Sequence, residues 1–477
     1  MPCVLHGVKQ NKKRRARGTQ KVRREAAGSK RPDGHRLQRQ GRRVRRSDGG
    51  RLRLGAPDER LTGYGGLAAF DAFVRELGLP KELRQRFGEL KRGPGVVYPM
   101  ASQLRLFVDM AVCGAKRVFD LEGLAGDALF CHLSGGHVPS VDVLYDDLRR
   151  FDAQALESLE ELVSEHGTAL AKERKLKEVH VDLDTTVEPL FGTHEGAHPG
   201  HNPRYRGRPS YHPLLMRIAE TDTVLCARLR PGDTGLGEAD IEDVRMGIER
   251  VRAALGPDAL VTVRVDAGGD CAALMKAIDE AGAFFLIKAK QTPNLLSAVM
   301  RVTRWTTLDV DAFGKPTTQV AEVPFRRDDW PEGKGAYRVL AVRTTERKSG
   351  KQTCLWEGLD HSVHLLITND RVHDTEHLAR DYDARAGIET LIAELKGGYG
   401  IGKVPTSDFE ANEALFLLKL LALNLMRRFV QSRAKDLGHA LRWRIDWLRR
   451  VLITMPGRLL RTGGRWLLRL APRPMLC

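Results

Sequence analysis

Val179-His180-Val181-Asp182-Leu183-Asp184 alternates apolar and polar residues without a break. Upstream, apolar residues recur at helical spacing; here the period drops to two, so a strand begins. Val179, Val181 and Leu183 face one side, and His180, Asp182 and Asp184 the other. Two ionised carboxylates on one strand face repel each other. A hard divalent cation rewards that arrangement with oxygen ligands, and a solvated sheet edge also tolerates it. The segment alone leaves both readings open.

Reading downstream, Leu214–Ile218 and Val224–Leu229 are strand-like and flank a polar turn. A helical stretch follows at Glu238–Leu255, then a buried-type strand at Leu260–Val265 that runs directly into Asp266. Cys271–Ala281 reads as a helix and Phe284–Ala289 as a strand. This order describes a mixed α/β sheet, in which ligands gather near strand ends. Asp266 stands at such an end, before Ala267-Gly268-Gly269, where an Asx turn or helix cap is the bland alternative. Between Asn294 and Asp370, strand-like runs at Thr306–Val310, Thr317–Pro324, Tyr337–Thr345 and His364–Thr368 suggest a β-rich insertion. Trp305, Trp330 and Trp356 lie in or near it and read as core more readily than as stacking platforms for bases.

Reading upstream, residues 61–170 are helical in pattern: Leu67, Phe70, Phe73, Val74 and Leu77 form one apolar stripe, and Met100–Val112 another. A helix near Ser140–Phe151, with Ser140 as N-cap, fits a helical bundle better than the second helix of a helix-turn-helix unit. Residues 1–50 are rich in Arg, Lys and Gly with almost no apolar periodicity, and read as a disordered basic arm or as an upstream stretch ahead of the true start.

Charge follows the same division. Residues 1–60 hold 20 Lys and Arg against 5 acids, and residues 427–477 hold 13 against 2, whereas the whole chain of 477 residues carries +17. Two basic ends therefore flank a mildly acidic body, which points to a polyanion. The apolar run Ala414–Met426 is interrupted by Lys419 and Asn424, too short and too polar for a membrane span, and reads as a buried helix. No secretory signal is visible at the N-terminus. Seven scattered cysteines without a CxxC pair argue against a disulfide framework or a thiolate zinc site.

Late in the chain comes Tyr382-Asp383-Ala384-Arg385-Ala386-Gly387-Ile388-Glu389, then Lys396. On a continuous helix, at about 100° per residue, Tyr382, Arg385, Glu389 and Lys396 share one stripe. An exposed Arg385–Glu389 pair leaves the phenol and the distal ammonium unexplained. A metal-ligating glutamate flanked by phosphate-binding groups accounts for all four. Gly397–Gly402 lacks the Gly-Lys-Ser/Thr of an ATP loop and reads as the end of this helix. His194, His198 and His201, among Arg204, Arg206 and Arg208, read as a loop near phosphate rather than as a zinc site. Phosphodiester cleavage by two divalent ions needs carboxylates to hold them. Asp184, Asp266 and Glu389 are the three candidates, with Asp182 competing for the first place.

The run Tyr382, Arg385, Glu389, Lys396 resembles the Tyr-x2-Arg-x3-Glu-x6-Lys signature of IS4-like DDE transposases at all four positions. Asp182-Leu183-Asp184-Thr185-Thr186, Tyr211-His212-Pro213-Leu214, Arg264-Val265-Asp266-Ala267-Gly268 and the opening Leu61-Thr62-Gly63-Tyr64 are similar to the IS1380 group of that class. Position 267 is Ala where Ser is expected. The resemblance implies an RNase H-like mixed sheet core interrupted by a β-rich insertion. It implies Asp184, Asp266 and Glu389 as catalytic metal ligands, and Tyr382, Arg385 and Lys396 as DNA phosphate contacts. It further implies Mg2+, with Mn2+ as substitute, and double-stranded DNA, both transposon inverted repeats and target. A homodimer in the DNA complex and a bacterial cytoplasmic location associated with DNA follow from the same likeness, with no membrane partner.

The expected organisation is a basic arm at 1–55, a helical, candidate DNA-binding domain at 56–170, and the first part of the catalytic core at 171–293. The β-rich insertion follows at 294–370, the glutamate helix completes the core at 371–430, and a basic segment closes the chain at 431–477. The expected activity is cleavage of transposon ends and their joining to target DNA. A metal-dependent nuclease without strand transfer and a non-enzymatic DNA-binding remnant are the rivals.

Overall fold

The computed structural model describes residues 55–200, 202, 205–333, 336–345, 361–434 and 443–472. The basic arm, Trp356, His201 and Arg204 lie outside the described residues. One compact unit, Pro57–Ala471, contains everything described below.

A short strand β1 (Leu61–Thr62) precedes helices α1 (Leu67–Glu76), α2 (Leu79–Phe87), α3 (Met100–Cys113), α4 (Leu121–Leu124), α5 (Ala128–Leu133), α6 (Val141–Leu148) and α7 (Ala153–Glu173). Between α4 and α5 Gly126 interrupts the helical pattern, and Asp127 caps α5 by accepting from the backbone N–H of Leu129 and Phe130. Ser140 caps α6 as its sequence suggests.

The sheet strands are β2 (Glu178–Thr185), β6 (Leu214–Ile218), β7 (Thr223–Arg228), β8 (Leu260–Val265), β9 (Phe284–Lys288), β10 (Thr306–Val310), β11 (Pro316–Val323), β12 (Arg338–Thr345) and β13 (His361–Thr368). Three small strands, β3 (Glu188–Pro189), β4 (His198–Pro199) and β5 (Pro209–Tyr211), form a side sheet. Among the described residues the large sheet has nine strands in the order β10-β11-β12-β13-β9-β8-β2-β6-β7. The pairs β2/β8 and β8/β9 are parallel, and every other neighbouring pair is antiparallel.

The strands between residues 294 and 370 extend the central sheet, because β13 pairs antiparallel with β9 and the other three continue outward from it. The helices before residue 170 are likewise joined to the rest of the unit. Their buried residues share one core with α13 (Phe409–Ser432) and with the C-terminal strand β14 (Gly457–Thr462), which pairs with β1 and with β15 (Arg465–Leu470).

The strict alternation of β2 decides the layering. Val179, Val181 and Leu183 enter the core beneath helices α8 (Ile241–Leu255), α9 (Ala272–Glu280) and α10 (Pro293–Met300). The opposite sheet face meets α7, α13 and, further along, α11 (Thr375–Asp383) and α12 (Gly387–Glu394). Burying an apolar strand face this way is the main stabilising term. The two polar interruptions of α13 are satisfied internally: the Lys419 ammonium donates to the carbonyls of Lys116 and Gly400, and Asn424 bonds to Val163 and to both backbone groups of Val224. Among the described residues no helix is long and apolar enough to cross a membrane.

Candidate active site

Two parallel neighbours, β2 and β8, end side by side, and this places two of the three acids. Leu183 pairs with Val265, so Asp184 and Asp266 each follow the last pair of the β2/β8 ladder. Neighbouring strands lie about 4.8 Å apart, which brings acids separated by 82 positions in sequence together. Glu389 arrives on the first turn of α12, which packs against β2.

The three carboxylates meet at one guanidinium. Nη2 of Arg385 lies 3.4 Å from Oδ2 of Asp184 and 4.0 Å from Oδ2 of Asp266, and Nη1 lies 3.8 Å from Oε1 of Glu389. The Arg385 side chain is only 7 % exposed, whereas Asp184, Asp266 and Glu389 are 14 %, 44 % and 71 % exposed. Arg385 is therefore the floor of an acidic cleft, not half of a surface pair. Burial pushes the Asp184 carboxyl up to about 6; Arg385 opposes this, and the charges of Asp266 and Glu389 add to it. The second oxygen of Asp266 does what the bland reading requires, accepting from the Gly268 N–H at 2.8 Å as a cap. Cap and cleft roles coexist on one side chain.

Tyr382 and Lys396 take different places. The Tyr382 hydroxyl donates to the Val265 carbonyl at 3.3 Å, one residue before Asp266. Burial pushes its phenol up to about 12; Arg385 opposes this, and the nearby carboxylates reinforce it. The continuous helical stripe does not form. The chain runs from α11 through a tight turn at Ala384–Ala386 into α12, then a widened π-turn at Leu395–Tyr399. Gly397-Gly398 holds the helix weakly, and the Arg449 guanidinium takes the Gly398 carbonyl. Lys396 sits in that wide turn, donating to the Val187 carbonyl at 2.9 Å and pairing with Glu188 at 3.1 Å. Its carboxylate partner is thus Glu188, not one of the acids around Arg385. Gly400, at φ 64°, ends the segment in the left-handed region, as the glycine run suggested.

Asp182 has a different fate. It is fully buried, and its two oxygens are each taken by an arginine from a flanking strand: Arg264 Nε at 2.6 Å and Arg217 Nη1 at 2.7 Å. Asp182 stands directly opposite Arg217 in β6 and Arg264 in β8, so the ladder register itself aligns the triad. Burial raises the Asp182 carboxyl, and both guanidiniums pull it back. A structural strand thus has a clear reason to carry this acid, which the strand pattern alone did not suggest. Arg264 continues to Asp381, meeting both its carbonyl and its carboxylate at 2.7 Å. His180 bridges Asp381 and Glu220. This network ties α11 to the sheet, and α11 leads into Arg385 and Glu389. Gly387 lets α12 approach: a Cβ there would lie 2.4 Å from the Arg217 guanidinium.

Sequence reasoning missed Arg217, Arg264, Asp381 and Gly387. The signal was present: each arginine is the sole charge inside an apolar strand, Met216-Arg217-Ile218 and Val263-Arg264-Val265. The two described histidines of the His194–His201 stretch make structural contacts. His194 bonds to the Thr406 and Phe191 carbonyls, and His198 meets Asp233. Trp330 is core, packed against Phe325 and Tyr337. The Trp305 ring carries the Arg343 guanidinium.

A family model for the transposase DDE domain, group 1, matches residues 45–474. The chain belongs to this family. It is a DDE transposase, a DNA-binding and DNA-cleaving enzyme of a class that works with divalent metal ions. No curated protein matches it in sequence. Among solved structures it is similar to a piggyBac transposase, seen by cryo-electron microscopy in a synaptic complex with hairpin DNA. The identity is 12 %, the TM-score is 0.45, and the match covers 82 % of this chain and 79 % of that one.

Three carboxylates at one cleft make an all-oxygen donor set, which suits a hard divalent ion. As placed, their charge is balanced by Arg385, and among the described residues no group of three His, Cys, Asp or Glu side chains is already arranged as a closed metal cage. The donor chemistry fits, with the side chains of Asp266 and Glu389 exposed enough to adjust.

Proposed function

We propose that this transposase cleaves transposon ends and joins them to target DNA, with Asp184, Asp266 and Glu389 holding Mg2+ or Mn2+. The observation that carries the reading is the convergence of these three acids on Arg385 at the ends of β2, β8 and the start of α12. An RNase H-like core, with the later strands as its extension, is supported by the mixed sheet that carries two of the acids on parallel neighbours.

Bound divalent ions would supply Lewis acidity to the scissile phosphate and an activated attacking oxygen. The chain's own residues do the positioning. Arg385 offers a rigid fork of donors at the floor of the cleft, matched to two phosphate oxygens. Tyr382 holds the end of β8 through Val265, and so fixes Asp266. Its place beside the cleft suits a phosphate contact. Lys396 extends the cationic path along the Val187–Glu188 edge. In the first reaction a water oxygen forms a bond to phosphorus, the P–O3′ bond breaks, and the 3′ oxygen leaves as a hydroxyl. In the second, that 3′-OH attacks a target phosphodiester, and a target 3′ oxygen leaves. The complex on DNA is read as a homodimer, which places two ends together, and the enzyme as acting on DNA in a bacterial cytoplasm.

A pre-cut end bearing a free 3′-OH, mixed with target duplex and Mg2+, tests this directly. Covalently joined product is expected. Hydrolysis of ends without any joined product would favour the nuclease reading.

A further inference from the structure

We propose that the β14–β15 hairpin is a β-ribbon that grips the phosphates of duplex DNA through Arg458, Arg465 and Arg469. The inference rests on the transposase reading and names a surface that the catalytic cleft does not include. Residues Gly457–Leu470 contain four arginines and no acid. Their register separates two faces. Directly opposite residues share a face, so Arg458 with Arg469, Leu460 with Leu467, and Thr462 with Arg465 point one way. Leu459 with Leu468, and Arg461 with Trp466, point the other way.

The second face is fastened to the body. Leu459 is buried, Leu468 packs on the main core, and the Trp466 ring lies 4.7 Å from His132 with Arg461 above it. The first face keeps three guanidiniums at the surface. Arg458 stands opposite Arg469, a like-charge pair that weakens an isolated hairpin. Asp58 meets Arg458 at 3.0 Å; among the described residues no carboxylate pairs with Arg465 or Arg469. Such a face suits a polyanion.

Shape agrees with charge. The connecting Gly463-Gly464 turn has φ of 57° and 77°, which only glycine adopts readily and which suits a tight, twisted two-residue hairpin. β15 is the edge of its three-stranded sheet, so the ribbon is two strands wide at its outer side. A two-stranded ribbon fits a major groove about 12 Å wide, where its flanking arginines reach the phosphate walls. A second copy of the chain is the rival occupant of this edge. Pairing two such strands antiparallel about Leu467 would bring Arg465 of each copy toward Arg469 of the other, so repulsion disfavours that register.

The test is the salt dependence of duplex binding by the full-length protein without divalent metal, so that no cleavage occurs. Each lost phosphate contact flattens the log–log slope by about 0.9, so R458Q/R465Q/R469Q should flatten it by about 2 to 3. The lysine triple variant, which keeps the charge, should retain the wild-type slope. If the glutamine triple variant melts early, the single variant R465Q, beside the turn, should still flatten the slope by about 0.9. Wild-type slopes in the folded glutamine variants would overturn the proposal. So would a loss of self-association with the slope unchanged, which would make the hairpin a protein interface. Because metal is absent, a failure of end cleavage or joining would leave these slopes untouched and would count against the catalytic reading alone.

Discussion

Asp182 and Asp184 sit two residues apart on one face of one strand, yet they serve opposite ends. Asp182 is saturated: fully buried, with one arginine on each oxygen at 2.6 and 2.7 Å. Asp184 is less fully bonded: Oδ1 accepts from the Thr185 N–H at 2.8 Å, but the nearest cation is 3.4 Å away and shared with two other acids, and its carboxyl is raised to about 6, first by burial. A saturated carboxylate has nothing left to offer a ligand. A less fully bonded one stores unfavourable charge that a divalent cation would relieve. Arginine position makes the difference, because flanking strands supply Arg217 and Arg264 beside Asp182, while Asp184 has Leu215 opposite it in β6.

The largest expected effect breaks this comparison through stability. D182N takes away the anion that Arg217 and Arg264 share, leaving Arg217 to Asp222 and Arg264 to Asp381; a buried charge left wholly unpaired costs roughly 3–5 kcal/mol, and these remaining partners keep the loss at or below the lower end of that range. A melting temperature well below wild type is expected. D184N removes a charge that the fold disfavours, so its melting temperature should match or exceed wild type. Equal melting temperatures for the two variants would erase the distinction.

Next in size is Arg385. R385A should slow single-turnover cleavage of a pre-bound end by ~100-fold, since small misplacements of a reacting group are expensive. R385K should remain impaired, because a point charge cannot reproduce the fork. Wild-type rates in R385K would sink the fork argument, and wild-type rates in R385A would remove Arg385 from the site.

Much of this was legible in the sequence. The strands β2, β6, β8 and β9 fall within a residue or two of where alternation and turn residues put them, and Asp184, Asp266 and Glu389 stand out by residue type and position in the sequence alone. What could not be read was pairing. Asp182 and Asp184 look alike until Arg217 and Arg264 are known to stand beside the first. The expected stripe through Lys396 failed because helical periodicity assumes one uniform helix, whereas Gly387 and Gly397-Gly398 allow a tight turn and a wide one. Which edge the strands of the β-rich insertion join was hidden for a related reason: strand positions are local, but the edge that β13 joins is not.

A smaller effect concerns the network behind Asp182. Burial pushes His180 down, but hydrogen bonds to Asp381 and Glu220 outweigh it and hold the imidazole up at about 9. A folded-state value above the unfolded one means a contribution fully present below about pH 6.5, declining from there and lost as pH rises through about 9. Thermal melts from pH 6 to pH 9.5 should show wild type losing stability across that window more steeply than H180Q. Parallel pH profiles would mean that the imidazolium does not brace α11 against the sheet.

The division of labour between the two acids is tested most directly by single-turnover cleavage of a pre-bound transposon end in Mg2+, at a temperature where every variant is folded. D184N, D266N and E389Q should each bind the end nearly as tightly as wild type and cut it undetectably, while folded D182N still cuts. Cleavage at the wild-type rate by any of the first three variants would contradict the account.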